Sequence, residues 1–187
     1  PFPSFADAQE WESTSAHGLD AQLDRTIEYW QSEIRSGAKF NLPDKILSDF
    51  HKAVQTHIAI SVSKDPVSGL NVVPAASWTY GACGNEACWQ IRFLDQTGHH
   101  QRAASYLDTF LHTQGMEKPD GLFSSSVGAF QGLDLDSGVA VRSDYSFRYN
   151  LDHGVILACL ADHYRYCADL HWLKKAAPNL ISGCEFI

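Results

Sequence analysis

Apolar residues recur at spacings of three and four along most of this chain, a period that predicts helices rather than strands. Between residues 19 and 35, Leu23, Ile27, Trp30 and Ile34 share one stripe, and Gly37 follows as a stop signal. Residues 43–63 open with Pro43 at a first-turn position and continue through Ile46, Leu47, Phe50, Val54, Ile58 and Val62. Further helices are expected over 83–96, over 100–114 with Ala103, Leu107, Phe110 and Leu111 inward, over 151–166 and over 170–187. Pro178 is expected to kink or interrupt the last of these. Short apolar runs at 70–73 and 139–141 read as small strands, and 65–69 reads as a turn.

The links between these helices carry the organisation. Those at 36–42, 97–99 and 167–169 are short, whereas those at 64–82 and 115–150 are long. Short links make antiparallel pairs, so the chain reads as three helical hairpins, about 19–63, 83–114 and 151–187. Both long loops then fall on one rim. A shift of about 70 residues brings Leu94, Gly98, Ala103, Phe110 and Leu111 onto Tyr164, Ala168, Leu173, Leu180 and Ile181, a weak internal repeat. Residues 1–18 read as an N-terminal extension and 19–187 as one all-α domain. The helix at 151–166 is apolar nearly all round (Val155, Ile156, Leu157, Ala158, Cys159, Leu160), which predicts neighbours on every side. Three hairpins do not supply them, so a further part of the fold, or self-association over an exposed apolar flank, is expected. The opening Pro1-Phe2-Pro3 and the end in mid-pattern at Glu185-Phe186-Ile187 suggest a processed or excised piece.

Composition narrows the function classes. The chain has 187 residues, 44% hydrophobic and 19% charged, the balance of an ordinary globular domain. A net charge of −8 with no basic stripe argues against a nucleic-acid partner. No apolar run approaches the ~18 residues of a membrane-spanning helix, so no membrane partner is expected. The five cysteines, Cys83, Cys88, Cys159, Cys167 and Cys184, read chiefly as small buried residues rather than a disulfide framework. Zinc held by Cys83 or Cys88 with His153 or His163 lacks close ligand spacing. No metal or cofactor is expected.

Chemistry-bearing residues gather where each long loop meets a helix. One junction is Ser77-Trp78-Thr79-Tyr80-Gly81-Ala82-Cys83-Gly84-Asn85-Glu86-Ala87-Cys88-Trp89-Gln90, and its echo is Tyr149-Asn150-Leu151-Asp152-His153-Gly154. Carboxylates, amides and imidazoles beside aromatic rings suit a sugar, whose hydroxyls need partners and whose C–H faces stack on rings. Hydrolysis of a glycosidic bond needs two carboxylates, and Glu86 and Asp152 are the pair that the hairpin geometry brings to one rim. Asn85 and His153 would hold hydroxyls, and Trp78, Tyr80, Trp89 and Phe130 would offer stacking surfaces. Each has a plainer role open to it: Glu86 and Asp152 as first-turn acids on a helix dipole, Asn85 as a cap, His153 as a core hydrogen-bonding residue. Asp134, Asp136 and Asp144 read as solvated loop acids. Ser124-Ser125-Ser126 lacks the surroundings of a nucleophile elbow.

A set of short motifs adds a resemblance. Ala76-Ser77-Trp78-Thr79-Tyr80-Gly81, Asn85-Glu86-Ala87-Cys88-Trp89, Leu94-Asp95-Gln96-Thr97-Gly98-His99-His100, Ala104-Ser105-Tyr106-Leu107, Leu151-Asp152-His153-Gly154, Ala161-Asp162-His163-Tyr164-Arg165-Tyr166 and Trp172-Leu173 resemble the six-hairpin glycosidases. Arg25-Thr26-Ile27-Glu28-Tyr29-Trp30 and Asn41-Leu42-Pro43-Asp44 are similar to that family's first helices. The resemblance implies part of an (α/α)6 toroid, a carbohydrate substrate, and a sugar subsite at Asn85 and Glu86. The glucoamylase-like branch carries an Arg-Asp pair there, which this chain lacks, and its acid and base lie beyond the span seen here. A sugar-binding half-site is therefore implied more strongly than a complete hydrolase. The rival readings are an α-toroid lyase, epimerase or zinc cyclase, and a non-catalytic helical-repeat or sugar-binding fragment.

Overall fold

The computed structural model describes residues 15–16, 18–65, 68–74, 84–116, 122–131 and 150–186. Six helices and two short strands occupy them: α1 (Leu19–Arg35), α2 (Lys45–Ser61), β1 (Ser63–Lys64), β2 (Asn71–Val72), α3 (Gly84–Gln96), α4 (His100–Thr113), α5 (Asn150–Cys167) and α6 (Leu170–Phe186). The fold is all-α. Among the described residues no helix is long and apolar enough to cross a membrane. The expected strand at 139–141 lies outside the described residues, whereas β2 pairs antiparallel with β1, Ser63 opposite Val72.

Local chemistry sets the boundaries. α2 starts two residues after Pro43 because the Asp44 carboxylate accepts from the Ile46 N–H at 2.7 Å and more weakly from Leu47, capping the helix. α6 runs unbroken past Pro178, contrary to the expected interruption. The neighbouring Asn179 side chain donates to the Leu111 carbonyl at 3.0 Å and to the Gln114 side chain at 2.7 Å, tying this part of α6 to the end of α4.

α3 and α5 are the centre of the fold, and they run parallel. Asn85 meets Asp152, Cys88 meets Cys159, Arg92 meets Asp162 and Gln96 meets Tyr166, so residue numbers rise together along both helices. The same offset joins α4 to α6, where Lys175 reaches Asp108 at 2.8 Å. Two equivalent hairpins, α3–α4 and α5–α6, therefore stack side by side, the physical content of the 70-residue repeat. Gly98 and Ala168 close α3 and α5 with positive φ, 82° and 52°, at positions 70 residues apart. Between the hairpins lies the core of Ile91, Leu94, Leu107, Phe110, Ile156 and Leu160, all fully buried.

The α1–α2 hairpin packs more loosely. Its link joins the α3–α4 link, where the Ala38 N–H donates to the Thr97 carbonyl at 2.6 Å, Ser36 Oγ lies 3.2 Å from His99 Nδ1, and Arg102 pairs with Glu33. α1 itself buries no residue, and Leu19, Leu23, Ile27, Ile46, Leu47 and Phe50 stay exposed. α5 is not wrapped on every side either: Gly154 and Ala158 face outward.

Two backbone positions test this packing in opposite directions. Gly128 has φ 87°, and a Cβ there would collide with the Ser182 carbonyl of α6. Gly128→Ala is expected to cost about 2–3 kcal/mol in urea unfolding, from strain and overpacking. Ala168→Gly removes the left-handed strain of a residue with a Cβ and is expected to gain ~0.5–1 kcal/mol.

Candidate functional site

Parallel packing brings the first turns of α3 and α5 together, and the polar groups singled out from the sequence meet there. Gly84 makes the approach possible: a Cβ on it would lie 2.5 Å from Ile156 Cδ1 and 3.3 Å from Asp152 Cβ. Across this gap the buried Asp152 carboxylate accepts the Asn85 backbone N–H at 3.1 Å. One helix thereby caps the next, satisfying an amide that α3 cannot bond internally. Burial raises the Asp152 carboxyl above its ordinary value, hydrogen bonds from the Asn85 and Gly84 amides pull it back down, and the nearby Glu86 charge raises it further.

Glu86 is exposed in the first turn of α3, and the Asn85 side chain accepts its N–H at 2.8 Å. Asn85 is half-buried. Trp89, one turn on, shares their helix face. The residue is 66% exposed, with the Arg92 guanidinium 5.4 Å from its ring centroid. Trp89 also borders a cavity of about 920 Å³ between α2 and α3, walled by Val54, His57, Ile58, Pro74 and Phe93. An exposed aromatic residue beside a cavity, one turn from an exposed carboxylate, can stack a sugar and hydrogen-bond its hydroxyls.

The remaining expected residues have other surroundings. Trp78 and Tyr80 lie outside the described residues, as do Cys83, Asp134, Asp136 and Asp144. Phe130 is buried, its ring against Gly183 and His153, with no open face for stacking. His153 is also buried, and both ring nitrogens are engaged with backbone. The Phe130 N–H donates to Nδ1 at 3.0 Å, so the Nε2–H donates to the Gly183 carbonyl, also at 3.0 Å. His153 thus pins the segment 122–131 between α5 and α6. The neighbouring ring stack of Phe123 on Phe186 and the bond from Gln114 Nε2 to the Gly128 carbonyl hold the same segment.

A second polar cluster, at the opposite ends of α3 and α5, escaped the sequence reading. The buried Asp95 carboxylate lies 2.9 Å from His163 Nδ1 and 3.0 Å from His100 Nδ1. Only the internal repeat, which sets Leu94 opposite Tyr164, hinted at this neighbourhood. Among the described residues no three or more His, Cys, Asp or Glu side chains gather as a metal site. Comparison with known families, with curated proteins and with solved structures returned no match to this chain.

His153 carries a pH signature. Burial lowers its pKa from the ordinary 6.5, opposed by the Gly183 carbonyl. A lowered folded value means the contribution is complete above pH 6.5 and is lost as pH falls through that folded value. Asp152, being raised, contributes most at acid pH and less as pH rises through its own value, and His99 is lowered like His153. Both slopes are shared by wild type and His153→Gln, so their difference isolates His153. The thermal midpoint of wild type is expected to fall more between pH 7 and pH 5 than that of the variant.

Proposed function

We propose that this chain is an arc of an (α/α) toroid that binds a carbohydrate at the rim of α3 and α5 and hydrolyses a glycosidic bond there. One observation carries the reading: a buried carboxyl held above its usual range, Asp152, beside an open carboxylate, Glu86, at the shared mouth of two parallel helices. A carboxyl raised by burial beside a solvent-exposed one suits an acid with a second carboxylate. In this reading Asp152 protonates the leaving oxygen and Glu86 is the second carboxylate, as base or nucleophile. Trp89 is the stacking floor, and Asn85 orients hydroxyls. Phe130 and His153 drop to support, holding the 122–131 segment that borders the rim.

The toroid is likewise a proposal. Two side-by-side hairpins with one repeat offset are the unit from which such rings are built, and the exposed faces of α1 and α2 and the open side of α5 are surfaces that neighbouring hairpins would cover. Those hairpins are the remainder of the toroid, or those of a second copy.

A second reading, a non-catalytic sugar-binding or scaffold domain, is favoured by the bond that Asp152 makes to the α3 amide, which gives the carboxylate a purely structural task. Substitution separates the two. Asp152→Asn keeps an acceptor for that amide, so its stability should stay close to wild type, whereas Asp152→Ala should cost about 0.5–2 kcal/mol. On the hydrolase reading, Glu86→Gln and Asp152→Asn each lower turnover of a responsive oligosaccharide by about 100-fold or more, with Glu86→Gln melting within a few degrees of wild type. Full turnover in both variants would leave the scaffold reading. A panel of oligosaccharides in a thermal-shift scan identifies the substrate class, and no shift with any glycan would contradict carbohydrate binding itself.

A further inference from the structure

Cys167 ends α5, His163 lies one turn earlier on the same face, and Asp95 sits in the last turn of α3. His163 Nδ1 is 2.9 Å from both Asp95 oxygens, and its Nε2 is 3.6 Å from Cys167 Sγ. A carboxylate only accepts, so Nδ1 carries the proton and the Nε2 lone pair faces the thiol. Asp95 and His163 are almost wholly buried, with the Trp172 ring edge-on to the imidazole at 4.4 Å between centroids, so this tautomer is held in place. His100 holds the same carboxylate from α4 at 3.0 Å. Cys167 remains partly exposed. A thiol, a base and a carboxylate that orients the base form the arrangement of an activated nucleophile.

We propose that Cys167 is a nucleophilic thiol assisted by His163 and positioned through Asp95, and that it is the site at which this protein exchanges with small-molecule disulfides. In the step, His163 Nε2 takes the Cys167 proton, and Sγ attacks one sulfur of the disulfide. The old S–S bond breaks as the new one forms, and the departing thiolate receives the proton from His163. One thiol and one disulfide become one mixed disulfide and one free thiol, with no other oxidant.

The charged and titratable groups around this thiol act in both directions. The C-terminal end of α5 disfavours a thiolate. Against it, the Asp169 N–H donates to Sγ at 3.4 Å, and the Asp95 carboxylate holds the far side of the His163 ring. Asp169, His100 on α4 and His171 in the first turn of α6 are the other titratable groups nearby. The other thiols among the described residues have different settings. Cys88 and Cys159 are buried against each other, and Cys184 is exposed without a hydrogen-bonding partner among the described residues.

The intact chain, incubated with oxidised glutathione between pH 6 and 9 and mapped by peptide mass, supplies the test, with Cys184 as internal reference. Cys167 is expected to react at least about tenfold faster than Cys184 at pH 6.5, with a flatter pH–rate profile, because its proton has a local acceptor. The advantage is expected to vanish in denaturant and in His163→Gln. Equal or slower reaction of Cys167 than of Cys184 at pH 6.5 would overturn the proposal without any variant having to fold. An advantage that survives His163→Gln would also overturn it.

Discussion

Two helices packed parallel bring their positive N-terminal ends together, and the α3–α5 seam depends on how that repulsion is relieved. Acidic residues stand in both first turns, Glu86 on α3 and Asp152 on α5, and Asp152 reaches across to an α3 amide. At the far ends, where both helices present unsatisfied carbonyls, the tie is again made by a carboxylate, here Asp95 on the His163 imidazole. Between these ties the seam is apolar and closely packed, from Gly84 against Ile156 to Leu94 and Leu160. Each tie closes one end of that seam, and each lies beside a more exposed group, Glu86 at one end and Cys167 at the other.

The two ends therefore offer different chemistry from one packing solution. At the N-terminal end a buried carboxyl sits beside an open one, next to an exposed indole and a cavity, a setting suited to proton transfer on a polyol. At the C-terminal end a buried carboxylate orients an imidazole toward a thiol, a setting suited to sulfur chemistry. His153 belongs to neither: its ring nitrogens complete the hydrogen bonding of Phe130 and Gly183, and its task is to seat the segment that follows Gly128.

Helices were legible because burial of an amphipathic stripe leaves a spacing in the sequence, and the 70-residue repeat foretold that equivalent hairpins would stack. The start of α2 was misjudged by two residues because Pro43 read as its first-turn residue, whereas the Asp44 cap sets the start one residue after the cap. The junction of Asn85 with Asp152 followed from alternating link lengths, whereas the roles of its members did not. Phe130 and His153 read as ligand-facing because aromatic and imidazole groups near a loop look alike whether they face a sugar or a backbone amide. The pairing of Asp95 with His163 went unnoticed because 68 residues separate them, and only the register of two parallel helices brings them together.

The account rests on Asp152 being a buried carboxyl that bridges two helix N-termini, and a site-resolved carboxyl carbon-13 titration of that residue tests it most directly. A midpoint above the ordinary 3.8, shifting downward when the neighbouring charge is removed in Glu86→Gln, is the predicted result. A midpoint at or below 3.8, indifferent to Glu86, would mean that the carboxylate is well solvated or dominated by its amide partners, and would contradict the account.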